Sequence, residues 1–227
     1  MINKKATGIK HTQQKKVTRL IKIVDRSGSM TNIVNEMRYL LNQNIQQDRD
    51  NAEKTGETYI TLVTFDDRIE TLLSNALIDE VEGDVSEDQI KPRGMTALYD
   101  ALYTTLNKAA DLVGKDIMFG YNAGVLVEIY SDGGENSSRY CDGKTIAGLI
   151  SRLKETGKWT FQYYGCDETA IKQAQDLGLP TMKFDPTPEG MVQLQHSNAM
   201  QKMTYSYTRF AGLTAQVSLE DSTPIQK

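Results

Sequence analysis

Short apolar runs alternate along the chain with longer segments whose apolar residues recur every three or four positions. The runs are rich in β-branched residues, which predicts buried strands over 17–24, 59–65, 124–130, 159–164 and 182–184. The periodic segments predict helices over 31–51, 97–113, 144–155 and 169–177, and a last one over roughly 188–210. Strands that alternate with helices predict an α/β fold with a mainly parallel sheet and helices on both faces.

One connection breaks the parallel pattern. Asp66 and Asp67 supply a tight turn after the second strand, and residues 68–73 return as an antiparallel partner at the sheet edge. Residues 75–92 are polar and acidic, so we expect short structure there at most. Gly114 is expected to end the helix that starts at 97.

The last predicted helix carries a stripe of large apolar side chains. Its members are Met191, Leu194, Met200, Met203, Tyr207 and Phe210. Methionine-rich faces serve some proteins as adaptable binding surfaces, but such a stripe is more often the core-facing side of a helix. We therefore predict that this stripe packs on the sheet.

Oxygen-bearing side chains gather where predicted strands end. Asp25, Ser27 and Ser29 follow the first strand directly, and Asp132 follows the strand over 124–130. Thr96 lies in a loop directly before a predicted helix. The carboxyl ends of parallel strands meet at one edge of a sheet, where ligands bind near the point at which strand order reverses. Carboxylate and hydroxyl oxygens at that edge suit a magnesium-like cation that keeps some of its waters.

These segments resemble the metal-ion-dependent adhesion site (MIDAS) of von Willebrand factor A (vWA) domains. The family pattern is Asp-x-Ser-x-Ser, then a distant Thr, then a distant Asp that is usually followed by Gly. The matching residues here are Asp25, Ser27, Ser29, Thr96, Asp132 and Gly133. The likeness covers roughly residues 17–210 and implies a Rossmann-like vWA fold. The chain looks like the stand-alone vWA proteins of bacteria, their plasmids and their phages.

The resemblance also implies a role for each of these residues. Ser27, Ser29 and Thr96 would be direct metal ligands, while Asp25 and Asp132 would act through water or by holding the hydroxyls. The cation would be Mg²⁺, with Mn²⁺ and Ca²⁺ as alternatives, since hydroxyl-rich coordination with few carboxylates favours magnesium. Its open position would take an Asp or Glu from a partner protein. The resemblance thus implies a metal-dependent protein-interaction module and no enzyme.

Several charged or polar residues fall in or near loops on the same side of the predicted sheet. They are Arg26, Arg68, Arg93, Glu135 and Asn136. If a partner docks on the metal, these residues would form a rim that sets its specificity. They would equally suit ordinary solvated loops.

Other interpretations stay open on sequence alone. Ser29 would also suit a helix N-cap, and Asp132 with Gly133 a simple turn. A metal-dependent hydrolase or phosphatase would need a base or nucleophile near the cation. The candidates for that role are Asp66, Asp67, Asp100 and Glu135, and none has a supporting motif. A structural subunit of a larger assembly is the third possibility.

Composition narrows the function further. The chain has 227 residues, 39% of them hydrophobic and 25% charged, with a net charge of −4. This ordinary globular composition with an acidic balance argues against general nucleic-acid binding. We expect a flexible basic arm over 1–16, one domain over 17–211 and a flexible tail over 212–227. No apolar run suggests a secretory signal or a membrane span, so we predict a cytoplasmic protein that does not engage a membrane.

Overall fold

The computed structural model describes residues 14–211, which fold around a six-stranded sheet. Its strands are β1 (Lys16–Asp25), β2 (Glu57–Phe65), β3 (Ile69–Leu77), β4 (Asn122–Tyr130), β5 (Trp159–Gly165) and β6 (Thr181–Lys183). Their order is β3-β2-β1-β4-β5-β6, and every neighbouring pair is parallel except β2 and β3. The predicted tail and most of the predicted basic arm lie outside the described residues.

Helices cover both faces of the sheet. Within residues 14–211 the α-helices are α1 (Val34–Asp50), α2 (Ala52–Thr55), α3 (Leu98–Met118), α4 (Gly143–Glu155), α5 (Glu168–Asp176) and α6 (Pro188–Ala211). One apolar core lies between the sheet and α3, α4 and α5, and a second lies between the sheet and α1, α2 and α6. The predicted fold class, with its antiparallel edge strand β3, is therefore confirmed. Among these helices none is long and apolar enough to cross a bilayer.

The central strands are mostly apolar, and both of their faces are covered. β1 lies between β2 and β4, and after Lys16 every residue of β1 is buried. β4 is buried throughout after its first residue, while the edge strand β3 stays partly exposed along its length. Near-continuous apolar runs are typical of parallel strands that are buried on both faces.

Two predicted helix boundaries are wrong. The segment predicted as one helix over 31–51 is a short 3-10 helix (Gly28–Asn32) followed by α1, and Ile33 separates them with a φ of −131°. Gly114 does not end α3, which continues to Met118. Asp116 in the extra turn is buried and binds the Arg19 guanidinium of β1 through both carboxylate oxygens, at 2.7 and 2.8 Å. This tertiary ion pair holds a turn that the local sequence does not favour.

The prediction for the last helix is wrong for three of the five stripe residues whose side chains the structure describes. Met191 and Leu194 are buried, but Met200, Met203 and Tyr207 are exposed. The side chain of Phe210 lies outside the described part of the chain. The buried residues of α6 instead include polar and charged side chains. They are Asn198, Lys202, Ser206, Thr208 and Arg209.

Buried polar groups explain why this face of α6 turns inward. Lys202 Nζ donates to Asp48 Oδ1 of α1 at 2.8 Å and lies 3.4 Å from Glu128 Oε1 of β4. Lys22 of β1 donates to the same two carboxylates. Two lysines and two carboxylates thus neutralise one another between the sheet and both helices. Tyr164 completes the cluster by donating to Glu128 at 3.0 Å.

Candidate functional site

The sequence-predicted metal residues lie at the carboxyl ends of β1 and β4. These strands are neighbours, and the chain winds outward from them in both directions, so strand order reverses between them. Asp25 is the last residue of β1, and Ser131, Asp132 and Gly133 follow β4. Thr96 arrives on the loop before α3. Open α/β sheets bind their ligands at such a reversal of strand order.

Three side-chain oxygens converge in front of Gly133. A Cβ atom placed on Gly133 would lie 2.8 Å from both Ser29 Oγ and Thr96 Oγ1. The same point is 2.9 Å from Asp25 Oδ2. Ser27 Oγ joins this group at 2.9 Å from Ser29 Oγ. The missing side chain of Gly133 therefore leaves a small space with oxygens around it.

Asp25 is a buried carboxylate whose two oxygens have different partners. Oδ1 accepts a hydrogen bond from the backbone N–H of Ser27 at 2.6 Å, which folds the loop back on the strand end. Oδ2 accepts one from the Ser131 hydroxyl at 2.5 Å. Burial raises the pKa of Asp25 above its ordinary value, although the hydrogen bonds from Ser131 and Ser27 oppose that shift. Asp25 thus orients the loop that carries the two serines.

Ser29 does not cap a helix, so that alternative interpretation is wrong. It lies inside the short 3-10 helix, and neither this helix nor α1 has a side-chain hydrogen bond at its N-cap. Ser29 is exposed, whereas Ser27 and Thr96 are buried. The hydroxyl of Ser29 is therefore at the solvent side of the group.

The loop after β4 holds the backbone of Thr96 through both its N–H and its C=O group. Asn136 Oδ1 accepts from Thr96 N at 2.9 Å, and Asn136 N donates to Thr96 O at 3.0 Å. Next to it, the Glu135 carboxylate accepts from Tyr99 N in the first turn of α3 at 2.9 Å. It also accepts from Ser138 N at 2.7 Å. Glu135 and Asn136 therefore brace the loop of Thr96.

Asp132 has its partners in the loop after β5. Its Oδ1 accepts from Cys166 N at 2.7 Å and also from Asp167 N. Its Oδ2 accepts from the Cys166 thiol at 3.0 Å. Burial, together with this hydrogen bond to Asp132, raises the pKa of Cys166 to about 12. In this structure Asp132 holds a neighbouring loop, and its hydrogen bonds do not go to the serine or threonine hydroxyls.

The arginines proposed for the rim differ in exposure. Arg26 is buried, and its Nε donates to Asp66 Oδ2 at 3.2 Å. Arg93 is half-exposed and donates to the same Asp66 oxygen at 2.6 Å. Arg68 lies at the hairpin turn and binds Asp66 through its backbone, since its N–H donates to Asp66 Oδ1 at 2.7 Å and its carbonyl accepts from Asp66 N at 3.0 Å. Both Arg26 and Arg93 also reach Glu70, and these hydrogen bonds lower the pKa of Glu70 to about 2. Whether the rim contacts a partner stays a prediction.

No sequence pattern assigned Ser131 or Asp66 a role in holding this region, and Gly133 was matched to the family pattern without a role for its missing side chain. The position of Ser131 directly before Asp132, at a strand end, is the signal that could have pointed to it. Asp66 appeared only as a turn residue and as a candidate base. Its ion pairs with Arg26 and Arg93 join residues far apart in sequence, so no local pattern announces them.

The donor set suits a hard cation. Within residues 14–211 no group of three or more His, Cys, Asp and Glu side chains is placed to hold a metal ion. The oxygens around the Gly133 space are three hydroxyls and one carboxylate, from Ser27, Ser29, Thr96 and Asp25. Oxygen-only donors fit magnesium, manganese or calcium and do not fit zinc or copper.

No protein-family model matches the sequence, and no curated protein matches it. Solved structures do match. Proximal thread matrix protein 1 (PTMP1) from the mussel byssus aligns with a TM-score of 0.51 and 14% identity, over 82% of this chain and 46% of that chain. A second crystal form of PTMP1 gives a TM-score of 0.50 and 15% identity over the same shares. Conserved hypothetical protein BatB from Bacteroides thetaiotaomicron gives 0.45 and 11%, over 82% of this chain and 98% of that chain.

The chain thus matches less than half of the length of the mussel protein. Identity as low as 14% speaks for the fold alone. PTMP1 has a vWA-like fold, and the strand order, the antiparallel edge strand and the helices on both faces described above agree with it. This chain has a vWA-like fold.

Proposed function

We propose that this chain is a protein-interaction module that binds a divalent cation and, through it, a carboxylate of a partner protein. Ser27, Ser29 and Thr96 would hold the cation, and Mg²⁺ is its proposed identity. The observation that carries the proposal is the convergence of Ser29, Thr96 and Asp25 oxygens on the space in front of Gly133. These residues come from separate loops, and a simple turn or helix cap would not require them to meet.

The chemistry of the donors supports capture of an anion. Neutral hydroxyls leave most of the charge of a bound cation uncompensated, so it would attract an additional anionic oxygen. A carboxylate of Asp or Glu is the commonest such group on a protein surface, and it is a hard donor that suits these cations. Asp25 would orient the serine loop, as its hydrogen bond to Ser27 N already does. Asp132 would contribute by holding the loop of Cys166.

Three of the four carboxylates considered above as a hydrolytic base favour a binding role, and the fourth, Asp67, is exposed at the hairpin turn. Asp66 is buried and paired with two arginines. Asp100 accepts from Arg139 N at 2.7 Å and Tyr140 N at 3.0 Å. Glu135 accepts four hydrogen bonds from the same loop and from α3. A general base must be free to take a proton, and these three groups are occupied in holding loops.

The experiment that tests the proposal compares four pull-downs from host lysate, with Mg²⁺ and with EDTA, for the wild type and Asp25→Ala. We expect a partner that is retained only by the wild type with Mg²⁺. Direct Mn²⁺ binding, followed by electron paramagnetic resonance, should be lost in Asp25→Ala as well. The matched control is Asp176→Ala, which removes an exposed carboxylate at the end of α5. Equal retention with Mg²⁺ and EDTA, or unchanged Mn²⁺ binding by Asp25→Ala, would contradict the proposal.

A further inference from the structure

Asp66 is a buried carboxylate next to the candidate site. It follows β2 directly, has no exposed surface, and lies in the turn that leads to β3. Its Oδ1 accepts from Arg68 N at 2.7 Å, which forms the hairpin turn. Its Oδ2 accepts from Arg26 Nε at 3.2 Å and from Arg93 Nε at 2.6 Å. One oxygen thus shapes the hairpin, and the other joins two arginines from different loops.

The main chain at the end of β2 contacts the same two loops. Phe65 O accepts from Arg26 N at 2.8 Å, and Asp66 O accepts from Ala97 N at 2.9 Å. Arg26 lies between Asp25 and Ser27 in sequence, and Ala97 directly follows Thr96. The end of β2 is therefore hydrogen-bonded to Arg26 and Ala97. Each of these residues is next in sequence to a residue whose side-chain oxygen belongs to the candidate site.

The two loops also bond to each other. Arg93 N donates to Arg26 O at 2.7 Å, and Gly28 N donates to Gly94 O at 3.2 Å. Gly94 has a φ of +66°, a backbone conformation that favours glycine, and its Cβ position lies against the Asp67 side chain. Main-chain bonds join the two loops, and the charged cluster closes around them.

We propose that Asp66, through Arg26 and Arg93, is a positioning residue that sets the register between the loop of Ser27 and Ser29 and the loop of Thr96. This inference rests on the proposed metal site. It goes beyond the site itself because none of these three residues belongs to the donor set. The carboxylate of Asp66 does not contact the hydroxyls of Ser27, Ser29 and Thr96 but holds the backbone of the loops that carry them.

Charge explains why this cluster can serve as a rigid brace. Arg26 is buried, so its guanidinium needs a carboxylate close by. Glu70 adds a second negative charge, with its Oε1 at 2.6 Å from Arg26 Nη2 and bonded to Arg93. Two arginines and two carboxylates then balance. Removing the Asp66 charge would leave the buried guanidinium of Arg26 with the half-exposed Glu70 as its carboxylate. A shift of Arg26 would then be passed to Asp25 and Ser27, its neighbours in the chain.

The test is the variant Asp66→Asn, which keeps the size of the side chain and removes its charge. We expect its affinity for Mn²⁺, measured by electron paramagnetic resonance with Mg²⁺ competition, to fall about 10- to 100-fold, as is usual when a group that orients metal ligands is lost. The matched control is Asp116→Asn, which breaks the buried pair with Arg19. Arg19 lies six residues before Asp25 on β1, about 20 Å along the strand.

Both variants lose one buried arginine–carboxylate pair, so both should lower the melting temperature. Only Asp66→Asn should weaken the binding of Mn²⁺. If Asp66→Asn binds Mn²⁺ as tightly as the wild type while Asp25→Ala does not bind, the positioning role is overturned and the proposed function stands. If the wild type itself does not bind Mn²⁺ or Mg²⁺, both the proposed function and this inference are overturned.

A second pair of variants keeps the test decisive if Asp66→Asn fails to fold. Arg93 is half-exposed, so Arg93→Gln is expected to fold. It should weaken Mn²⁺ binding by about 3- to 10-fold, while Arg93→Lys, which keeps the charge, should recover part of the loss. A merely structural role would leave the affinities of both variants equal to that of the wild type, and that result would overturn the inference.

Discussion

The absence of a side chain at Gly133 makes the oxygen cluster possible. Its Cβ position is surrounded by Ser29, Thr96 and Asp25 at 2.8–2.9 Å, distances that real Cβ atoms do not tolerate. Gly134, the next residue, is different. A Cβ there would lie 3.7 Å from its nearest neighbour, Gln173, which is ordinary contact. A methyl group would therefore fit at Gly134 but not at Gly133.

This difference gives a prediction at the scale of a residue. Gly133→Ala should weaken Mn²⁺ or Mg²⁺ binding on the order of 10- to 100-fold, because the methyl group would push apart the oxygens that would hold the cation. Isothermal titration of each metal into the purified protein measures the loss. Gly134→Ala is the control and should bind like the wild type. Tight binding by Gly133→Ala would show that the metal does not occupy this space.

At the scale of an element, α6 is attached to the sheet by polar contacts as much as by apolar ones. Near its end, Arg209 is buried, and its Nη2 donates to Asn122 O at 2.7 Å and to Val17 O at 3.1 Å. The guanidinium occupies the space beside Gly124 of β4, where a Cβ would lie 2.6 Å from its Cζ. The absence of a side chain at Gly124 therefore allows α6 to reach the starting ends of β1 and β4.

We predict that Gly124→Ala displaces Arg209 and lowers the free energy of unfolding by about 1–3 kcal/mol, since buried backbone acceptors lose a charged donor. Urea unfolding measures the loss, and hydrogen exchange should show faster exchange in the last turns of α6. Gly114→Ala in α3 is the matched control, because nothing lies within 4 Å of its Cβ position. It should gain about 0.5–1 kcal/mol from the better helix former. A Gly124→Ala variant as stable as the wild type would contradict this account of Arg209.

At the scale of the whole molecule, four buried charges join two central strands to the two helices that pack on one face of the sheet. Lys22 and Glu128 lie on neighbouring central strands, Asp48 on α1 and Lys202 on α6. Burial alone would raise the pKa of Glu128, but the charges of Lys202 and Lys22 lower it to about 2. A carboxylate whose pKa is lowered by folding stabilises the protein above its unfolded pKa. That contribution is lost as the pH falls from about 4.5 toward 2.

The pH dependence of stability tests this cluster. Glu128→Gln should be less stable than the wild type at pH 7, because two buried lysines, Lys22 and Lys202, would then share one carboxylate, that of Asp48. The difference in unfolding free energy between the two proteins should shrink by about 2 kcal/mol between pH 7 and pH 3. Over that range the wild type loses the stabilisation that the lowered pKa of Glu128 provides. Urea unfolding at several pH values measures it, with the exposed Glu53→Gln variant of α2 as the control. A difference that stays constant with pH would contradict the lowered pKa.

Much of the fold follows from the sequence because it depends on local patterns. The apolar runs that predict β1, β4 and β5 are buried almost throughout, and the run that predicts β2 is buried from Leu62 to Phe65. Short runs rich in β-branched residues favour strands. The Asp66–Asp67 turn and the return of β3 follow from turn chemistry in the same way. The order of the motif residues along the chain also places Asp25, Thr96 and Asp132 near one end of the sheet.

Long-range contacts decided what local patterns could not. The apolar stripe of α6 predicts a core face, but the buried charges of Lys22, Asp48 and Glu128 required Lys202 to turn inward, so the methionines turned out. The extra turn of α3 depends on Arg19, nearly a hundred residues away. The bonds of Asp132 to Cys166 and of Asp66 to Arg26 and Arg93 likewise join separate loops. By itself, the sequence determined which oxygens are available and where the strands run, because both depend on neighbours in the chain. Only the tertiary structure decided which oxygens meet at Gly133 and which hold loops, because hydrogen bonds and ion pairs form between whichever groups the fold brings together.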